Sequence, residues 1–124
     1  MSLLRPEDWT PQGVSVLEPR AWEALRETAQ SILVTAGAGA GKTEFLAQKA
    51  TYMLQTGLCP APKRILAISF KRDAARNLAE RVSVRCPPEQ ARRFNSYTFD
   101  AFAKNLLDRF RAAIPDPYRP PAGY

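Results

Sequence analysis

Residues 36 to 43 read Ala36-Gly37-Ala38-Gly39-Ala40-Gly41-Lys42-Thr43. This is a glycine-rich phosphate-binding loop (a P-loop), with alanine where the motif's first glycine usually stands. Gly37, Gly39 and Gly41 let the main chain approach an anion closely, and the amides of such a nest, with the helix start behind it, attract phosphate oxygens. Lys42 can then reach the β- and γ-phosphates, and the Thr43 hydroxyl suits a Mg²⁺ ion bridging them. Lys42 and Thr43 are therefore the candidate catalytic residues, Thr43 the candidate metal ligand, and residues 36–43 with Glu44 the candidate nucleotide site. The expected ligands are ATP, or another nucleoside triphosphate, and Mg²⁺. The plainer alternative is a flexible Gly/Ala turn that happens to precede a lysine.

Such a loop works only between a strand and a helix. Ser31-Ile32-Leu33-Val34-Thr35 is a short apolar, β-branched run that predicts a buried strand. Glu44 onward begins a helical pattern that reaches about Gln55, with Leu46, Ala50, Met53 and Leu54 on one face and Gly57 as its stop. Upstream, residues 1–16 hold Pro6, Pro11 and Gly13 and read as an irregular lead-in. A helix is expected from Pro19 to about Ala29.

Downstream, Ile65-Leu66-Ala67-Ile68-Ser69 predicts a second buried strand. It is followed by a helix with Ala74, Ala75, Leu78, Ala79 and Val82 inward and mostly basic residues outward. A third strand is expected near residues 93–96. A helix then carries Phe99, Phe102, Ala103, Leu106, Leu107 and Phe110 at helical spacing, with Thr98 as its N-cap. Pro115, Pro117, Pro120 and Pro121 mark residues 112–124 as a proline-rich, extended or disordered tail. Strands alternating with helices predict an α/β fold, a parallel sheet with helices packed on its faces.

Bulk properties bound the partners. The net charge of +6 is uneven: residues 1–61 carry five basic and six acidic side chains, and residues 62–124 carry thirteen and six. A basic second half suits a polyanion such as nucleic acid, although an ordinary solvated surface gives the same count. Cys59 and Cys86 are too few for a disulfide framework or a zinc site, and the absence of histidine excludes His-based metal or acid–base chemistry. No signal peptide or membrane-spanning run is present, so a soluble protein in a reducing, cytoplasmic setting with no membrane partner is expected.

The strand from Ile65 runs straight into Phe70-Lys71-Arg72-Asp73, and the third strand into Tyr97-Thr98-Phe99-Asp100. Both junctions fall at a strand's carboxyl end, where open α/β sheets bind ligands. An aromatic there can stack on an unpaired base while cations hold phosphates. Phe70, Lys71, Arg72, Tyr97, Thr98 and Asp100 are thus candidate DNA-binding residues. Phe70 as a core side chain, with Lys71 and Arg72 as a solvated helix start, is the alternative. Phe99 and Phe102 are assigned to the core by periodicity.

Together these three landmarks resemble the N-terminal motor domain of superfamily 1 DNA helicases of the UvrD/Rep/PcrA type and their RecB- and AddA-like relatives. Residues 36–43 look like that family's motif I, where alanine first is usual. Residues 65–75 are similar to motif Ia, a hydrophobic strand followed by Thr-Phe-Thr-Asn-Lys-Ala-Ala, and residues 97–103 to motif Ib. Order and spacing match over about residues 17–111.

The resemblance implies a partial RecA-like, three-layer α/β/α domain that binds ATP and single-stranded DNA. It also implies an ATP-dependent helicase once the rest of the protein is present. Three departures stand out. Ala21 occupies the position of the family's adenine-reading glutamine, Glu44 replaces an arginine common after Gly-Lys-Thr, and Lys71-Arg72-Asp73 replaces Thr-Asn-Lys. No later apolar strand carries the Asp-Glu pair of the family's motif II. The chain is therefore expected to be the front part of such a helicase, without a second motor domain, poorly able to hydrolyse ATP alone, and prone to self-association. A stand-alone module that binds nucleotide or single-stranded DNA without motor activity, and a different P-loop enzyme such as a small-molecule kinase, are the competing readings.

Overall fold

The computed structural model describes residues 3–13, 17–35 and 41–121. It contains helices α1 (Pro19–Arg26), α2 (Gly41–Gln55), α3 (Arg72–Arg85), α4 (Pro88–Ala91) and α5 (Phe99–Arg109). Strands β1 (Ile65–Ser69) and β2 (Phe94–Thr98) form a parallel pair in the register Ile65↔Phe94 through Ser69↔Thr98. The α/β class and the parallel sheet are as expected, but the described sheet has two strands rather than three.

The missing strand is the one expected at Ser31–Thr35. These residues are irregular and exposed, Leu33 to 90%. A β-branched apolar run becomes a strand only when a neighbour takes its N–H and C=O groups, and the described residues offer 31–35 no such partner. Ile65 to Ser69 is a comparable apolar run and is a strand because β2 lies beside it.

The main core joins α2, α3 and one face of the sheet: Ala47, Ala50, Leu54, Leu78, Val82, Cys86 and Phe94, with Ile65 and Ala67 against them. Period-2 alternation turns Leu66 and Ile68 to the opposite face, where both are exposed. The helix face expected of α2 is partly wrong. Leu46 is half exposed, and the face actually buried includes Ala47, Gln48, Thr51 and Tyr52. In α3 only Ala75, Leu78 and Val82 are buried, while Ala74 and Ala79 are exposed. Small side chains do not fix a helix's rotation, and the larger Leu78 and Val82 decide it.

The lead-in, irregular apart from one short turn, packs against the helices. Pro6–Asp8 forms a 3₁₀ turn, and Trp9 is only 1% exposed. Its indole packs edge-on against Trp22 and Tyr52, at ring separations of 6.0 and 5.2 Å. Its Nε1 donates to Gln55 Oε1 at 2.8 Å. With Leu25 these rings form a second small core that seats α1 on α2. Lys49 on α2 completes the joint, donating to the Ala24 and Glu27 carbonyls at 2.8 and 2.6 Å and so capping the end of α1. α1 stops at Arg26, short of the expected Ala29.

α5 forms where its periodicity places it, and Thr98 Oγ1 accepts a hydrogen bond from the Ala101 amide at 3.1 Å as its N-cap. Its apolar stripe is nonetheless uncovered: Phe99 is 62% exposed, and no residue of α5 is buried. Past α5, residues 111–121 are not an extended tail. Two 3₁₀ turns, Arg111–Ala113 and Asp116–Tyr118, are stitched together by Arg111 and Arg119 donating to the Pro120, Arg111 and Ile114 carbonyls. Proline rigidity favours such turns once arginines satisfy the free carbonyls.

Candidate nucleotide and nucleic-acid site

The sheet register brings two of the sequence landmarks side by side. β1 and β2 are parallel and in register to their last residues, so Ser69 pairs with Thr98. The junctions Phe70-Lys71-Arg72 and Thr98-Phe99-Asp100 therefore leave the sheet side by side. Across the helices, Glu44 in the first turn of α2 meets Arg81 and Arg85 near the end of α3, and Thr51, about two turns further along α2, meets Cys86.

At the strand ends Phe70 is fully exposed, which removes the alternative of a core side chain. Lys71, Arg72 and Asp100 are exposed, and Tyr97 and Thr98 are half-buried. Of these, Thr98 has its hydroxyl committed to capping α5. Phe99 joins the exposed aromatics, contrary to its assignment to the core. An aromatic ring standing free beside two cations is costly to leave in water and suits stacking on a planar ligand.

In the nucleotide loop, Lys42 is exposed and Thr43 half-buried in the first turn of α2. Ala36, Gly37, Ala38, Gly39 and Ala40 lie outside the described residues. Glu44 is turned toward α3. Its Oε1 accepts from Arg85 Nη2 at 2.8 Å and Arg81 Nη1 at 3.2 Å, and its Oε2 from Gln48 Nε2 at 3.0 Å. Burial pushes its carboxyl up, but hydrogen bonds from Arg85 and Gln48 and the two arginine charges outweigh that and hold it below the usual carboxylate range. Arg85 Nε is buried without a hydrogen-bond partner among the described residues, so the Glu44 contact is what offsets the guanidinium's desolvation.

Sequence reasoning missed this cluster. Glu44 and Gln48, like Arg81 and Arg85, stand four residues apart and so share a helix face. That spacing is visible in the sequence, but the facing of one pair by the other is not.

Buried Cys86 donates weakly to Thr51 Oγ1 at 3.5 Å, and burial, only partly countered by that bond, pushes its thiol up. It is a core side chain and not a nucleophile. Among the described residues no cluster of three or more acidic or cysteine side chains could hold a metal ion. No described helix is long and apolar enough to cross a membrane.

Comparison with known proteins matches residues 17–116 to the model of the UvrD/REP helicase N-terminal domain. The chain is 39% identical over 92 residues to the ATP-dependent DNA helicase PcrA of Leuconostoc citreum, covering 74% of this chain and 12% of the relative. It is 34% identical over 101 residues to DNA helicase IV of Escherichia coli strain K12, covering 82% of this chain and 14% of the relative. With PcrA of Bacillus subtilis strain 168 it shares 42% identity over 71 residues, 57% of this chain and 10% of the relative. The chain thus spans roughly a seventh or less of the curated relatives it matches.

Proposed function

The chain belongs to the UvrD/REP helicase N-terminal domain family, and from that premise we propose that it is the ATP- and single-stranded-DNA-binding front part of a motor that couples ATP hydrolysis to translocation and unwinding. The observation that carries the reading is the registered pairing of Ser69 with Thr98, which sets both strand-end junctions beside one another with Phe70 exposed next to Lys71 and Arg72. Phe70 offers its ring to a base, and Lys71 and Arg72 attract the phosphates on either side. Tyr97 and Asp100 border the same path.

At the other half of the site, residues 36–43 cradle the phosphates of ATP, Lys42 neutralises the β- and γ-oxygens, and Thr43 offers its hydroxyl to Mg²⁺. One hydroxyl fits this ion, which keeps waters and takes phosphate oxygens for most of its shell. When bound, it neutralises charge on the phosphate oxygens. The carboxylate next to Thr43, Glu44, is committed to Arg81 and Arg85, which supports assigning hydrolysis to an intact motor. A cytoplasmic, nucleoid-associated location accords with that role. Exposed Leu66, Ile68, Phe99, Leu106, Leu107 and Phe110 support docking of further helicase structure, and self-association in its absence.

The test is fluorescence anisotropy of a labelled oligothymidylate at two salt concentrations. Binding should weaken with salt, and Phe70→Ala should lower affinity about tenfold or more. Equal affinity of the two proteins would sink the DNA assignment. Magnesium-dependent turnover well above background, abolished by Lys42→Ala, would overturn the claim of inactivity.

A further inference from the structure

We infer that Arg81 and Arg85 are positioning residues that hold the Glu44 carboxylate off the phosphate-binding end of α2, leaving that end open to a polyphosphate. This rests on the nucleotide-loop function proposed above.

Glu44 follows Thr43 directly and lies in the first turn of α2. The start of a helix carries unpaired amides and a partial positive charge, which draw in any nearby anion. A carboxylate in that turn is such an anion, and left free it competes with phosphate for those amides or repels it. Here it is drawn away. Two guanidiniums and an amide donate to it, from Arg85 at 2.8 Å, Arg81 at 3.2 Å and Gln48 at 3.0 Å.

The clamp is itself supported from behind. Gln48 is fixed because its Oε1 accepts from the Gln12 amide at 2.9 Å while its Nε2 donates to the Gln12 carbonyl at 2.6 Å. Arg85 packs over Gly13, whose φ of +75° favours glycine and where a Cβ would collide with the guanidinium. The N-terminal segment thereby lies against the guanidinium that holds Glu44. With both arginines in place the group of three carries one net positive charge beside the loop. Without them it carries one negative charge. At surface dielectric, reversing that sign within about 10 Å of a multivalent anion is expected to change affinity about fivefold or more.

The experiment compares the full chain with Arg81→Gln/Arg85→Gln, Glu44→Gln, and the triple variant. Dissociation constants for inorganic tripolyphosphate and for Mg²⁺-ADP are measured by NMR titration at low salt. The double variant should bind about fivefold or more weakly. Adding Glu44→Gln should restore affinity to near the starting value, and Glu44→Gln alone should bind at least as well as the unmodified chain. A purely structural cluster would show no such rescue, because a third substitution only removes more bonds. Where the double variant does not fold, Arg81→Gln with and without Glu44→Gln makes the same comparison.

Unchanged affinity on loss of the arginines, or failure of Glu44→Gln to rescue it, overturns the inference. Absence of binding by the unmodified chain and by Glu44→Gln alike, with both folded, overturns instead the phosphate-loop function on which it rests.

Discussion

Replacing Trp9 by alanine tests whether residues 3–13 belong to the cooperative fold. The indole is almost completely buried, lies edge-on to Trp22 and Tyr52, and donates to Gln55 at 2.8 Å. Truncating a buried aromatic costs about 3–5 kcal/mol through lost transfer energy and the cavity left behind. The lost Nε1 bond adds about 1 kcal/mol, part of which that range already contains. A total near 4 kcal/mol is a large share of the ~5–15 kcal/mol that holds a domain together.

At roughly 0.25 kcal/mol per degree for a chain of this size, the midpoint should fall by about 15 °C. Trp9→Phe keeps a ring in place but drops the bond to Gln55, so it should cost only about 1–2 kcal/mol. Leu33→Ser, at an exposed position, should leave stability unchanged. Urea unfolding followed by far-ultraviolet circular dichroism separates the three, since it does not depend on the indole signal being removed. A loss below about 1 kcal/mol for Trp9→Ala would refute the second core as a stabilising unit.

Three further outcomes follow from named contacts. Glu44's folded pKa lies below its unfolded value, so its contribution is complete above the ordinary carboxyl range and is lost as pH falls through the folded value. Urea midpoints measured from neutral pH downward should therefore drop at acid pH, with a shallower drop in Glu44→Gln; identical slopes would refute the ion cluster. Thr98→Ala removes the cap on α5 and should cost about 1 kcal/mol, with Thr98→Ser retaining most of it in thermal melts. Lys49→Met removes two charged hydrogen bonds at the end of α1, at a cost of about 2 kcal/mol, and amide exchange should speed up in α1 but not in α5.

Local chemistry is legible from residues alone, and the helices show this best. Thr98 caps α5 because a hydroxyl three residues before an amide closes that bond within the segment itself. Gly57 follows the end of α2 at φ +77° because only glycine adopts that turn cheaply. The phosphate-loop pattern at 36–43 and the strand-to-helix junctions at Phe70 and Thr98 are of the same kind, set by neighbours along the chain.

What lay beyond the sequence depends on partners far along the chain. Comparable apolar runs yield a strand at 65–69 and none at 31–35, because pairing is a property of two segments and only one of these has its mate among the described residues. Trp9 reads as part of a proline-broken lead-in until Trp22 and Tyr52 are folded around it. Glu44 reads as a flaw in an anion site until Arg81 and Arg85 are brought across from α3. The sequence by itself determined the stop after α2 and the cap of α5, since those interactions close within a few residues. Only the tertiary structure decided which strands exist, which aromatics stay exposed, and where the carboxylate beside the loop points. Each of these is settled by burial and charge pairing between segments that the linear order keeps apart.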